Sequence, residues 1–264
     1  MGLTSPPNRT TIRPTVGISG GFLAVMLAVE FLDEFIFGAN EAAWPLIRDD
    51  LLLTYAQIGI LLSIPRLISN LVEPTIGILA DVWKRRVLIL GGGIVFTFSL
   101  VMISQSTGYI FLLLAFCMFG PASGAFVSVS QATMMDADSR RHEQNMARWT
   151  FAGSLGVVAG PLALGAAVWV GYGWRQLYIL FALLAVALII RLRRYPLDRI
   201  NISHSIDTEK QPGIIDGFRT AMGALRQKEV LRWLVLLEFS DLTLDVLLSF
   251  LALYFVDVAG FSSS

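Results

Sequence analysis

Long apolar stretches alternate with short polar segments along the chain, and this alternation predicts its elements. Seven apolar stretches follow the polar first 16 residues, at 17–38, 56–80, 87–105, 109–132, 149–171, 175–192 and 232–256. Most of them have the length of an α-helix that crosses a membrane, since about 20 residues span about 30 Å of hydrocarbon. The pattern therefore predicts an all-α, multi-pass membrane protein with seven spanning helices.

The polar segments between these stretches divide the chain into predicted domains. Residues 1–16 form a predicted polar tail, 17–194 a six-helix bundle and 195–231 a linker, and 232–264 contain the seventh helix. In the linker, apolar residues recur at helical spacing beside basic residues, at Ile214, Ile215, Phe218, Met222 and Leu225. This favours an amphipathic helix on the membrane surface, with a flexible linker as the alternative.

Composition supports the assignment as a membrane protein and argues against nucleic-acid binding, a disulfide and a metal site. Of the 264 residues, 55% are hydrophobic and 15% are charged, whereas soluble domains are about 25% charged. The net charge is zero, which gives no reason to expect a nucleic-acid partner. Cys117 is the single cysteine, which excludes an intrachain disulfide. The sequence has no histidine–cysteine or histidine–carboxylate cluster, so no metal site and no cofactor are predicted.

The distribution of lysine and arginine predicts the orientation in the membrane. If the N-terminus is cytoplasmic, 17 of the 20 basic residues fall in inner segments. The outer loops then contain Arg48 and Arg175, and Arg66 lies within the second apolar stretch. Because cytoplasmic loops of membrane proteins are enriched in lysine and arginine, the N-terminus is predicted to be cytoplasmic, in a multi-pass protein of the cell membrane.

A short polar run between the second and third stretches resembles a known family loop. It reads Gly77-Ile-Leu-Ala-Asp-Val-Trp-Lys-Arg-Arg86 and resembles the G-x-L-A-D-x-x-G-R-K/R loop of major facilitator superfamily transporters. Lys84 stands where a glycine is usual in that pattern. The resemblance implies a helical bundle of two six-helix halves that transports a solute by alternating access.

The same resemblance implies a cytoplasmic gating loop. Its residues here are Gly77, Asp81, Arg85 and Arg86. In the family the aspartate pairs with arginines and locks one conformation, so Asp81 is expected to pair with Arg85 or with Arg141 or Arg148 after the fourth stretch. Gly77 is expected to let neighbouring helices approach closely.

An internal repeat indicates that the seventh stretch begins a second half. Glu30-Phe31-Leu32-Asp33 recurs as Glu238-Phe239-Ser240-Asp241, 208 residues later. The same offset aligns Asp49 with Asp257. The seventh helix is therefore expected to be the first of a second half, the remainder of which is missing from this chain. The chain is accordingly interpreted as a fragment or a truncated product.

Ionisable residues inside apolar stretches are candidate functional groups, because charges are costly in a membrane. Glu30, Asp33 and Glu34 in the first stretch are spaced so that they share one helix face. The other candidates are Arg66 in the second stretch and Asp241 and Asp245 in the seventh. The hypothesis is that Asp33 and Glu30 sense protons or cations, with Arg66 and Asp245 as neighbours. The alternative is a static ion-pair network.

Glycines in the fifth stretch resemble a motif of drug/proton exchangers in the same superfamily. Gly156, Gly160, Pro161 and Gly165 follow the pattern G-x-x-x-G-P-x-x-G-G, with Leu164 replacing one glycine. Small residues at this spacing let two membrane helices pack closely, so a plain packing seam is the alternative.

The fourth stretch has a similar soft point, where glycine and proline loosen the helix, at Gly120, Pro121 and Gly124. Phe116 stands where many drug exchangers have an arginine, which weakens the drug-efflux interpretation.

These features predict a secondary active transporter of small solutes that exports drug-like or metabolite substrates by proton antiport. The alternatives are an uptake permease for a sugar or an organic anion, and a membrane sensor or scaffold that transports nothing. An enzyme is not predicted, since no histidine lies in an apolar stretch to activate a nucleophile. The expected partners are the small-molecule substrate, protons and the lipid bilayer.

Overall fold

Helices account for all of the regular structure in the described part of the chain. The computed structural model describes residues 19–138, 141–195, 197, 223 and 227–260. The predicted tail and the predicted amphipathic helix of the linker lie outside these ranges. The helices are α1 (Gly20–Leu51), α2 (Tyr55–Val82), α3 (Arg85–Ser104), α4 (Tyr109–Ser123), α5 (Val129–Ala137), α6 (His142–Trp169), α7 (Trp174–Leu192) and α8 (Lys228–Asp257).

The prediction of a helical, multi-pass membrane protein is confirmed. Among the described residues, five helical segments are long and apolar enough to cross a membrane: α2, α3, the continuous segment from α4 to α5, α6 and α7. A π-helical turn, Gly124–Ser128, joins α4 to α5 within that segment. Helices α1 and α8 are 32 and 30 residues long and contain the first and seventh predicted stretches, including their acidic residues.

The first helix continues well beyond its predicted end at residue 38. Helix α1 runs through Pro45 to Leu51 and ends at Leu52, which has a left-handed backbone with φ 52°. Its last turns are part of the core, since Trp44 and Ile47 are buried. Hydrophobicity marks the part of a helix that lies in hydrocarbon, whereas the polar residues near its end follow the same backbone geometry. The predicted outer loop after residue 38 is therefore wrong.

Helices α1 and α6 are in backbone contact along a line of glycines. A Cβ atom on Gly156 would lie 2.6 Å from the Phe31 carbonyl oxygen, closer than real Cβ atoms come. A Cβ on Gly38 or on Gly160 would likewise overlap backbone atoms of the opposite helix. Gly38, Gly156 and Gly160, together called the glycine seam, thus permit an approach that any side chain would block.

The glycine seam gives the predicted antiporter-like motif a packing role, but only in part. Gly156 and Gly160 face α1, and Pro161 lies inside α6. Gly165 is different, because no atom of the described residues lies within 4 Å of the place where its Cβ would be. The packing alternative for this motif therefore applies to two of its three glycines.

We predict that one added methyl group separates these glycines by their effect on stability. Gly160→Ala would place a Cβ 2.8 Å from the Phe35 carbonyl oxygen. Overpacking a tight contact costs about 1–3 kcal/mol, so the free energy of unfolding should fall by at least this amount. Gly165→Ala is the matched control and should leave stability unchanged. Thermal unfolding of both variants in detergent micelles measures the difference, and equal midpoints would contradict the backbone contact.

Candidate functional site

Two carboxyl groups of the predicted acidic face lie against α6. Glu30 is 8% exposed, and a Cβ on Gly153 would lie 2.8 Å from its Oε1 atom. The same Cβ would lie 3.2 Å from Cγ of Glu34, so both acids pack on this one glycine. Trp149 of α6 lies against the Glu30 carboxyl. Gly153 therefore leaves room for both side chains between the two helices, where Glu30 is buried and Glu34 half-buried.

Asp33 faces a different neighbour. The Ser123 hydroxyl, at the end of α4, donates a hydrogen bond of 2.9 Å to Asp33 Oδ1. The next residue, Gly124, lies against Glu73 of α2, whose Cγ would be 2.9 Å from a Cβ at that position. Glu73 and Glu34 are close enough to Asp33 to act on its charge. The three acids of α1 share one broad stripe, as their spacing predicts, but α6 and α4 pack on opposite edges of it.

The other predicted coupling residues are placed less fully. Arg66 lies on α2 and is half-buried. Asp241 and Asp245 lie on α8, but their side chains are outside the described residues. Their grouping with Asp33 stays a prediction. Glu30, Asp33, Glu34, Glu73 and Ser123 are called the acidic cluster below.

Arg85 forms the expected contact with Asp81, and it has one partner that the sequence did not reveal. Its side chain is 7% exposed, and its Nη1 atom donates to Asp136 Oδ2 at 2.5 Å. Its Nη2 lies 3.4 Å from Asp81 Oδ1, and its Nε donates to the Ala80 carbonyl at 3.2 Å. Arg85, Asp81 and Asp136, called the Arg85 latch, therefore join the ends of α2 and α5 to the start of α3.

Of the three arginines considered as partners of Asp81, the described contact is with Arg85. Arg141 lies 3.8 Å from Asp138, and Arg148 donates to Asn145 at 3.3 Å, so the described contacts of these two arginines are local. The expectation for Gly77 is wrong. Gly77 does not permit a close approach in this conformation, since no described atom lies within 4 Å of its Cβ position.

The remaining loop residues fit the fold without a glycine. Lys84 immediately precedes α3 with φ −73° and ψ 104°, a backbone conformation open to any residue. The lysine in the family's glycine position therefore imposes no strain here. Arg86, the last residue of the gating loop, donates to the Arg193 carbonyl at 2.9 Å, beyond the end of α7.

A second arginine cluster lies at the opposite end of the bundle. Arg48 of α1 forms ion pairs with Asp49 and with Asp257 of α8, and its Nη1 atom lies 3.1 Å from the Tyr55 hydroxyl. The Tyr55 hydroxyl also donates to Asp257, and its ring stacks on Phe250 of α8 at 6.4 Å. Arg48, Tyr55 and Asp257, called the Arg48 cluster, thus join α8 to α1 and α2. The repeat had aligned Asp49 with Asp257, but it did not predict that one arginine binds both.

Helix α8 packs on the bundle mainly near the Arg48 cluster. Leu253, in its last two turns, is 1% exposed. Near its start, apolar side chains are at least half exposed, namely Leu231, Trp233, Val235, Leu236 and Phe239. Among the described residues, α8 therefore packs on the bundle at the Arg48 end, and the start of α8 is exposed.

The fold and these sites define a helical membrane protein with buried carboxyl groups and arginine contacts at both ends. The sequence profile of the Major Facilitator Superfamily matches residues 23–264. The chain therefore belongs to this superfamily, which confirms the resemblance carried by the Gly77–Arg86 run.

Comparison with individual proteins adds one relative and one solved structure. The fosmidomycin resistance protein of Escherichia coli K12 is 28% identical over 180 residues, which cover 67% of this chain and 44% of that protein. A mutant of the peptide transporter POT, crystallised in complex with sulfate, has a TM-score of 0.61 at 15% identity. The match covers 94% of this chain and 49% of the transporter, and it shows likeness of fold alone. The chain thus spans about half the length of each.

We predict that the two acidic partners of Arg85 differ in their contribution to stability. Asp136→Asn should lower the free energy of unfolding by about 1–3 kcal/mol, because it weakens a short bond to a buried cation. Asp81→Asn is the matched control. It should cost under about 1 kcal/mol, since the Asp81 carboxylate is 76% exposed and lies 3.4 Å from Arg85. Thermal unfolding in micelles compares the two variants, and a larger loss for Asp81→Asn would contradict the assignment of Asp136 as the main partner.

Proposed function

We propose that this protein is a secondary active transporter that exports small solutes in exchange for protons. The observation that carries the proposal is the acidic cluster, in which Glu30 is buried, Asp33 and Glu34 are half-buried beside it on α1, and the exposed Glu73 of α2 faces them. Ionisable groups in membrane helices are costly, and those that occur commonly form proton or ion pathways. Carboxylates held close together repel each other, which favours binding of a proton to one of them.

The two arginine clusters support alternating access. They lie at opposite ends of the bundle and join different elements, so one can hold its end closed while the other end rearranges. With the orientation that the basic residues predict, the Arg48 cluster faces the outside and the Arg85 latch faces the cytoplasm. In the described conformation both clusters are formed, so each end would open only when its distant carboxylate, Asp257 or Asp136, leaves its arginine.

Export as the direction of transport is supported by the comparison and by α6. The relative at 28% identity is named for resistance to fosmidomycin, and export of a toxic compound is one way in which a cell resists it. The glycine seam gives α6 the close packing of the exchanger-like motif, and Pro161 removes a backbone hydrogen bond within it. A helix of this kind can bend where it encloses the acidic cluster.

We predict that Asp33→Asn abolishes coupling to protons. In the full-length protein reconstituted in liposomes, fosmidomycin movement driven by an imposed pH gradient should fall at least about tenfold, since loss of one proton-transferring group commonly costs 10²–10⁴-fold. Exchange of labelled for unlabelled fosmidomycin without a gradient should persist, because it needs no net proton transfer. Asp138→Asn, the same change outside the acidic cluster, should leave both rates unchanged.

The outcomes of this experiment are separable. Full pH-driven transport by the Asp33→Asn variant would contradict the role of the acidic cluster. Transport by the unmodified protein that ignores the pH gradient would remove proton coupling and favour a permease. If no solute of a labelled panel moves, a sensor or scaffold would be favoured.

A further prediction concerns the Arg48 cluster as an outer gate. Tyr55→Phe removes the hydroxyl that contacts Arg48 and Asp257 but keeps the ring stacked on Phe250. Loss of hydrogen bonds to charged groups should shift the population towards states in which α8 has moved away, by about tenfold or more.

Spin labels at the exposed residues Leu52 and Val258 can measure this shift as a longer inter-label distance, in a background where Cys117 is replaced. Tyr254→Phe on the same helix is the matched control, since Tyr254 is 55% exposed. An unchanged distance distribution in the Tyr55→Phe variant would show that the cluster does not hold this end closed.

A further inference from the structure

One continuous helical segment connects the acidic cluster to the Arg85 latch. At its middle, Ser123 donates to Asp33 at 2.9 Å. At its far end, Asp136 binds Arg85 at 2.5 Å. Between these two contacts lies the π-helical turn Gly124–Ser128, which begins at the residue after Ser123. The two sites therefore share a mechanical connection through α4 and α5.

The π-helical turn is the part of this connection that can change length. Such turns hold one residue more than an α-helical turn, are rare, and occur often at functional sites. The turn lies against α3, where a Cβ on Gly92 would be 2.6 Å from Cβ of Ala125. A Cβ on Gly124 would lie 2.9 Å from Cγ of Glu73 of α2. Because Gly92 and Gly124 are glycines and have no Cβ atom, they leave the space that the wider π-helical turn occupies.

We propose that Ser123 is a positioning residue that transmits the protonation state of Asp33 through the π-helical turn to the Arg85 latch. The proposal rests on the proton coupling of the proposed function and adds how the site acts on the gate. An ionised Asp33 accepts a charge-assisted hydrogen bond from Ser123, which is about twice as strong as a neutral one.

Proton binding weakens that bond without forming or breaking any other covalent bond. The proton enters from water and stays on the Asp33 carboxyl group. The end of α4 is then released, the π-helical turn rearranges, and α5 carries Asp136 away from Arg85. Arg85 keeps Asp81 as a partner during this movement.

Several groups other than Ser123 act on Asp33. Glu30 and Glu34 lie on its own helix, and Glu73 faces it from α2, which also carries Arg66. From α6, Trp149 approaches Glu30. On α8, the side chains of Glu238, Asp241 and Asp245 are outside the described residues, and Asp257 belongs to the Arg48 cluster at the other end of the bundle. Because several carboxyl groups share the site, the test must identify Asp33 and Ser123 individually.

Hydrogen–deuterium exchange of residues 129–137 tests the proposal in the full-length protein in lipid nanodiscs. After correction for the intrinsic effect of pH, acidification should speed exchange of this segment about fivefold in the unmodified protein, as the charged bond becomes a neutral one. Asp33→Asn and Ser123→Ala should each remove this pH response. Ser123→Thr retains a hydroxyl and should restore it, which a purely structural role would not require. Ser154→Ala, which loses only a local bond to the Thr150 carbonyl, is the matched control and should respond normally.

Proton-driven fosmidomycin transport by the same samples separates the two proposals. Coupled transport with a pH-independent α5 segment would overturn the role of Ser123 and leave the proposed function standing. A normal pH response in the Ser123→Ala or the Asp33→Asn variant would also overturn the role of Ser123. Absence of proton-driven transport in the unmodified protein would overturn the proposed function itself, together with the inference that depends on it.

Discussion

The backbone contact between α1 and α6 is the constraint on which the candidate site depends. Between membrane helices there is little hydrophobic driving force, so close packing of small residues holds them together. Gly156 and Gly160 bring α6 against the α1 backbone, and Gly153 on the same helix leaves the space that Glu30 and Glu34 occupy. A larger residue at any of these glycines would move α6 outwards and expose the carboxyl groups to lipid. The glycine seam thus makes it possible for α1 to carry acidic residues inside a membrane.

The sequence predicted the helices well and their ends less well, for a physical reason. Hydrophobic length reports the thickness of hydrocarbon, so the seven stretches were found, whereas α1 extends to Leu51 through residues that look like a loop. In the predicted gating loop, likewise, one contact of Arg85 was expected from the sequence and the other was not. Asp81 and Arg85, which lie four residues apart across the turn between α2 and α3, could be paired from the family resemblance. Asp136 could not, because its approach to Arg85 depends on how α5 packs beside α3.

In the acidic cluster, too, the sequence predicts which residues share a helix face but not which residues of other helices they contact. Spacing alone placed Glu30, Asp33 and Glu34 on one stripe, but only tertiary packing decides that Asp33 meets Ser123. The π-helical turn had a weak signal in Gly120, Pro121 and Gly124, which marked a soft point in the fourth stretch. It gave no indication of the kind of distortion, since glycine and proline permit several. Sequence periodicity shows which residues share a helix face. It does not show which residues of other helices pack against that face.

Both arginine clusters share one arrangement that suits a contact made and broken repeatedly. Each arginine has one carboxylate within four residues of it in sequence and a second one from a distant element: Asp49 and Asp257 for Arg48, Asp81 and Asp136 for Arg85. Removing the only partner of a buried charge costs about 3–5 kcal/mol, which would hold a gate shut. Because the local carboxylate stays when the distant one leaves, neither arginine is left without a counter-charge. The ends of the bundle can then open at a cost closer to that of an exposed ion pair, about 1 kcal/mol or less.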